Sequence, residues 1–288
     1  MYTGAMTFAH GVATPESVWS AWTWEPTVIL PLAIAAALYT RGSAVLRRAG
    51  TRRTPHREAF FYAGLVAVFL ALITPLDAVA EALFSVHMVQ HLLLILVAAP
   101  LLVAGEPGVR IALAIPAQAR RTWARRLRKM GALSWSSTLR NPLVVWSLHV
   151  VALWAWHLPD LYEAALANEL IHALEHASFF GTAVLFWAVV RSRPRKALSY
   201  PARILFVFTT ALQSGALGAL LIFAGGVLYQ AHQSTAHDWG LTAQEDQQLA
   251  GALMWIPPWF VYFITMAVLF VTWLKKVERR AIAVGTKP

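Results

Sequence analysis

His87-Met88-Val89-Gln90-His91 runs directly into Leu92-Leu93-Leu94-Ile95-Leu96-Val97-Ala98-Ala99-Pro100-Leu101-Leu102-Val103-Ala104. After the second histidine no side chain in this stretch carries a charge or a hydrogen-bonding group. With Phe84 and Val86 just ahead, it reaches the roughly 20 apolar residues that cross a bilayer core. Two imidazoles thus stand at the mouth of an apolar span. How many such spans the chain has, and what its histidines do, are the two questions the sequence poses.

The same length criterion predicts seven spans, at about 27–46, 59–77, 84–104, 142–158, 170–190, 202–224 and 248–274. The expected fold is therefore all-α, a polytopic membrane protein built as one bundle of seven transmembrane helices. Residues 1–288 form a single transmembrane domain, with no internal repeat or low-complexity tail. Composition agrees. Charged residues make up 13% of the chain, against roughly 25% in a soluble domain. The first 20 residues contain no Lys or Arg, so the first span is expected to act as its own insertion signal.

Charge placement orients the bundle. All 24 Lys and Arg fall in the 1–2, 3–4 and 5–6 connections, with the span ends that border them, and in the C-terminal tail. The positive-inside rule then predicts the N-terminus outside and the C-terminus in the cytoplasm. The net charge of +10 follows from this asymmetry, and no nucleic-acid partner is inferred from it. Residues 117–130 read as a basic amphipathic helix with Trp123, Leu127 and Met130 on one face, held at the interface by anionic membrane lipids. Cysteine is absent, which removes disulfides, thiolate metal sites and cysteine nucleophiles.

The polar residues concentrate at the predicted outer end. His87 and His91 form an i, i+4 pair on span 3, and His172 and His176 form another on span 5. Residues so spaced share one helix face. His157 ends span 4 at a similar depth, and His149 lies about 12 Å deeper. Imidazole suits Cu, Zn, Fe and Ni. Two facing pairs offer one four-ligand site, two two-ligand sites, or bis-histidine haem ligation. Polar groups at membrane depth usually mark function.

Glu175, between the span 5 histidines, is a candidate ligand or orienting carboxylate. Asp77 closes span 2 after Pro75. Asp246 opens span 7, where a carboxylate suits the helix dipole. Met88 and Met254 are auxiliary thioether candidates, Met254 lying about 12 Å into its span. His232 and His237, in the outer 6–7 loop near Asp238, are read as solvated loop residues, with capture of a metal before transfer inward as the alternative, and His10 likewise. His56 lies on the basic side, away from the site. Gly215 and Gly218 with Ala211 and Ala219 predict a close helix contact.

These residues also carry a family resemblance. Pro75-Leu76-Asp77, His87 to Leu92, Trp156-His157-Leu158-Pro159, Leu161-Tyr162, His172 to Phe179, Tyr229, Asp246 to Gly251 and Met254-Trp255 resemble, in order and spacing, the multi-span CtaG-type cytochrome c oxidase assembly factors of bacteria. The resemblance covers spans 2 to 7. It implies a non-enzymatic protein of the bacterial plasma membrane that matures a haem-copper terminal oxidase, with the oxidase subunits as partners and copper as the metal handled. The expected copper ligands are His87, His91, His157, His172 and His176.

Haem or zinc are the alternative cofactors, and a haem- or di-metal-binding membrane redox protein is the alternative function. A zinc hydrolase is disfavoured by the absence of a His-Glu-x-x-His motif. A transporter is disfavoured because the ionisable groups sit near one face rather than at the midplane.

Overall fold

The computed structural model describes residues 13–52, 54–129, 138–139, 141–192 and 198–285, and it contains no strand among them. The helices are α1 (Pro26–Arg48), α2 (Pro55–Leu72), α3 (Pro75–Ala82), α4 (Phe84–Ala104), α5 (Pro107–Ala114) and α6 (Ala117–Lys129). They continue with α7 (Pro142–Trp156), α8 (Pro159–Ala167), α9 (Glu169–Arg191), α10 (Tyr200–Phe223) and α11 (Ala243–Gly285). Five of these are long and apolar enough to cross a membrane. The count reaches seven when the bent pairs α2–α3 and α7–α8 are each taken as one span.

Both bends sit at prolines. Between α2 and α3 the axis turns by 45°. Proline has no N–H to extend a helix, and it disfavours helical backbone in the residue before it. Pro75 therefore starts a new helix, and Thr74 caps it by accepting from the Leu76 amide at 3.4 Å. This corrects the sequence reading: Asp77 does not close the second span but lies in the first turn of α3. Between α7 and α8 the turn is 77°, at Leu158-Pro159. α7 therefore ends at Trp156, and α8 leaves it at a steep angle.

α4 is continuous over Phe84–Ala104, but Leu93–Ala98 winds as a π-helix directly after His91. Such a turn misaligns the backbone ladder. Trp187 of α9 satisfies one of the displaced carbonyls, donating from Nε1 to the Ile95 oxygen at 2.8 Å. α11 starts earlier and ends later than the predicted span. At 43 residues it is about 65 Å long, some twice the hydrocarbon thickness. Its far end carries Lys275, Lys276, Arg279 and Arg280 clear of the apolar region.

α10 and α11 are packed along their lengths. The predicted close contact is there: a Cβ on Gly218 would stand 2.7 Å from the Gly251 carbonyl oxygen, and one on Gly251 would stand 2.7 Å from that of Gly218. The main core runs through α4, α7, α9, α10 and α11, with Phe179, Ala183, Phe186, Val207 and Leu221 fully buried. α6 matches the expected basic helix and leaves Trp123 exposed. The side chain of Leu127 and all of Met130 lie outside the described residues.

Candidate metal centre

α4 begins with its first amides buried, so they need acceptors. Its own preceding residue, Leu83, provides no side-chain cap. The carboxylate of Asp246, from the first turn of α11, accepts from the Phe84 amide at 2.7 Å and the Ser85 amide at 3.0 Å. Asp246 is completely buried. Its role as a helix-terminal carboxylate is thus served on a neighbouring helix, and it locks α11 against the turn that carries His87. Gln90, one residue before His91, is fixed by donating to the Ala71 carbonyl at 2.9 Å and to Asp77.

On this scaffold the two i, i+4 pairs face each other. Ring centroids are 4.3 Å apart for His87–His91 and for His172–His176. Across the helices they are 5.6 Å for His87–His172, 6.1 Å for His87–His176 and 5.2 Å for His91–His176. Glu175 enters the same space: its two oxygens lie 3.7 Å from His87 Nε2 and 3.8 Å from His91 Nε2. Two donor sets place one atom per residue within 4.8 Å of one another: His87, His91 and His176, and His87, His172 and Glu175. His87, His91 and Glu175 are buried, whereas His172 and His176 are half-buried. The latter two line a lateral cavity of about 560 Å³ between α1, α2, α4 and α9.

The polar atoms here are not spent on one another. His87 Nε2, both His91 nitrogens, His176 Nε2 and both Glu175 oxygens are buried without a hydrogen-bond partner. Buried polar groups left so cost on the order of 1–3 kcal/mol each. A cation held among them would satisfy several at once. The donors, imidazoles with one carboxylate, are of the kind that hold a metal ion.

His157 stands apart. Because α7 stops at Trp156, the Leu153 carbonyl is available to the ring, and His157 Nδ1 donates to it at 2.7 Å. Its Nε2 faces Met88 Sδ at 3.4 Å, and it belongs to neither donor set. His149 donates from Nδ1 to Thr182 Oγ1 at 3.0 Å and stacks on Phe186. His149 and Met254 line a small cavity together with Met88, His91 and His157.

The loop between α10 and α11 departs from the sequence reading. His232 is not solvated but 2% exposed. Its Nδ1 donates to the Ala82 carbonyl at 3.3 Å, and its Nε2 accepts from the Tyr162 hydroxyl at 2.7 Å. Burial lowers its pKa to about 4. The reason is the loop's path: Gln230–His232 and the single turn Thr235–Asp238 fold back over α3 and α8, with Thr235 also bonding Ala82. His237 is exposed, as is His56 at the opposite end. His10 lies outside the described residues. Tyr162 entered the sequence reading only through the family resemblance, without a role in the site. Its ring lies 5.2 Å from that of His87, which makes Tyr162 and His232 the wall behind the cluster. The signal available was a tyrosine one turn past the Leu158-Pro159 bend.

A family model described as cytochrome c oxidase caa3 assembly factor (Caa3_CtaG) matches residues 37–276. Among curated proteins, uncharacterized proteins of Mycobacterium bovis and Mycobacterium tuberculosis are each 25% identical over 93% of this chain. One of Mycobacterium leprae is 23% identical over 91% of it. The chain spans 42% of the length of the first two and 40% of the third. No solved structure matches it.

Proposed function

Since the chain belongs to the cytochrome c oxidase caa3 assembly factor family, we propose that it binds copper at the extracytoplasmic face of the bacterial plasma membrane and passes it to a haem-copper oxidase during assembly. The copper is cargo, and no reaction is catalysed. The observation that carries this reading is the convergence of His87, His91, His172, His176 and Glu175 at the end of the bundle that lacks Lys and Arg. The positive-inside rule puts that end outside.

The donors match the task. Imidazole and carboxylate bind copper without thiols, which oxidise readily outside the cytoplasm. Half-buried His172 and His176 open on the lateral cavity, through which a membrane-embedded partner has access. Asp246 and Gln90 hold the α4 donors in place, and Tyr162 closes the far side.

The test is elemental analysis of protein purified in mild detergent, with oxidase copper content measured in cells carrying each variant. Wild type retains copper. His87→Ala combined with His176→Ala retains less copper than wild type and leaves the oxidase copper-deficient. Unchanged bound copper in that double variant overturns the site. Bound haem, visible in the absorption spectrum, or zinc in place of copper overturns the cargo.

A further inference from the structure

We infer that Met88 and His157, with His149 and Met254 on the same cavity wall, form a second site inside the bundle that binds one soft monovalent cation, Cu(I). Its donors are separate from the four-histidine cluster except for His91, which faces both. It therefore stands or falls on its own.

A backbone carbonyl only accepts, so the 2.7 Å contact from His157 to the Leu153 oxygen fixes the ring proton on Nδ1. Nε2 is then left with a lone pair beside a thioether sulfur, which also only accepts. Two acceptors face each other at 3.4 Å where Met88 is 1% and His157 7% exposed. Neither satisfies the other, and an electrophile between them satisfies both.

The spacing fits a metal. An ion bonded at about 2.0 Å to nitrogen and about 2.3 Å to sulfur spans 3.4 Å with an angle of roughly 105°, close to tetrahedral.

His149 is fixed in the same tautomer. Thr182 Oγ1 spends its own proton on the Ser178 carbonyl at 2.8 Å, so it accepts from His149 Nδ1, and the His149 lone pair is on Nε2. His149 is 2% exposed and Met254 3%. Both border, with Met88, His91 and His157, a cavity of about 20 Å³. That is room for a single water-sized particle. Two thioethers and two neutral imidazoles around one such space select Cu(I) over harder divalent ions. The π-turn Leu93–Ala98 contributes Ile95 and Leu96 to the lining, in a helical irregularity of the kind that recurs at functional positions.

The full chain with His87→Ala and His176→Ala, which removes the cluster, is purified in mild detergent and loaded anaerobically with Cu(I). X-ray absorption at the copper edge then reads the ligands. The expected result is a sulfur neighbour at about 2.3 Å. It becomes selenium in selenomethionine-labelled protein and disappears with Met88→Leu combined with Met254→Leu, both volume-conserving changes. A shell of nitrogen and oxygen alone, no bound copper in the double histidine variant, or a sulfur neighbour that survives loss of both methionines overturns the site. The labelled protein keeps the test decisive even where the methionine variants fail to fold. If His87→Ala with His176→Ala removes no copper relative to wild type, the cluster reading fails while this site remains.

Discussion

Replacing Asp246 separates its structural role from any role as a ligand. Asp246→Ala leaves the Phe84 and Ser85 amides buried with no acceptor, at about 1–3 kcal/mol each. Loss of a buried negative charge at a helix N-terminus adds up to about 2 kcal/mol. The expected cost is about 2–8 kcal/mol, a large part of the 5–15 kcal/mol that typically stabilises a fold. Asp246→Asn keeps the shape and one acceptor oxygen, so it loses one bond and the charge, roughly half the cost. Thermal unfolding of the three proteins in one detergent should rank wild type above Asp246→Asn and Asp246→Ala lowest. Copper affinity should fall in the same order, because His87 lies one turn beyond the capped amides. An Asp246→Ala protein that melts with wild type would refute the cap. One that melts normally but loses copper would make Asp246 a ligand.

Gly218→Ala forces a methyl group to within 2.7 Å of the Gly251 backbone oxygen, and overpacking of this kind costs about 1–3 kcal/mol. The melting temperature should drop with helix content unchanged, and Gly251→Ala added to it should cost less than the sum of the two. Trp187→Phe removes the donor to Ile95 at the π-turn and should cost about 1 kcal/mol or more, measured by the same melts. His232 carries a pH signature. Its pKa is about 4 when folded against 6.5 ordinarily, so between those values the unfolded chain binds the proton and the folded one does not. Its contribution is fully present above about pH 6.5 and declines as pH falls toward about 4, by up to about 3 kcal/mol. The groups facing it are Tyr162, His87, Asp246 and the Ala82 carbonyl. A plot of stability against pH should be shallower for His232→Gln than for wild type, and parallel curves would refute the assignment.

The spans and the two histidine pairs were legible because both depend on local periodicity. A run of apolar residues and an i, i+4 spacing mean the same thing in any context. The bends were half legible: Pro75 and Pro159 are plain in the sequence, but hydropathy runs through them, and the 45° and 77° turns follow from where the flanking helices pack. The contacts that tune the site were not legible. Asp246 meets Phe84 across 162 residues, and Met88 meets His157 across 69. His232 looked solvated because its neighbours Gln230, Gln233 and Ser234 are polar. It is buried because the loop doubles back on Ala82 and Tyr162, which no local pattern encodes.

Donor softness differs between the two proposed positions, and this gives them a direction. His172 and His176 are half-buried beside the lateral cavity, His87 and His91 are buried behind them, and Met88 with His157, also buried, borders the second, smaller cavity. The donors pass in that order from imidazole with carboxylate to imidazole with thioether. A hard or divalent ion gains from Glu175 and from nearby water, and loses both on moving inward. Cu(I) needs neither and gains sulfur. The same gradient explains why so costly a cluster persists at membrane depth. Each buried donor without a hydrogen bond lowers stability on its own. The fixed supports around them, the Asp246 cap, the Gln90 bonds and the Tyr162–His232 pair, prevent the rings from turning to relieve that cost. A site held in this way is organised for an ion before the ion arrives.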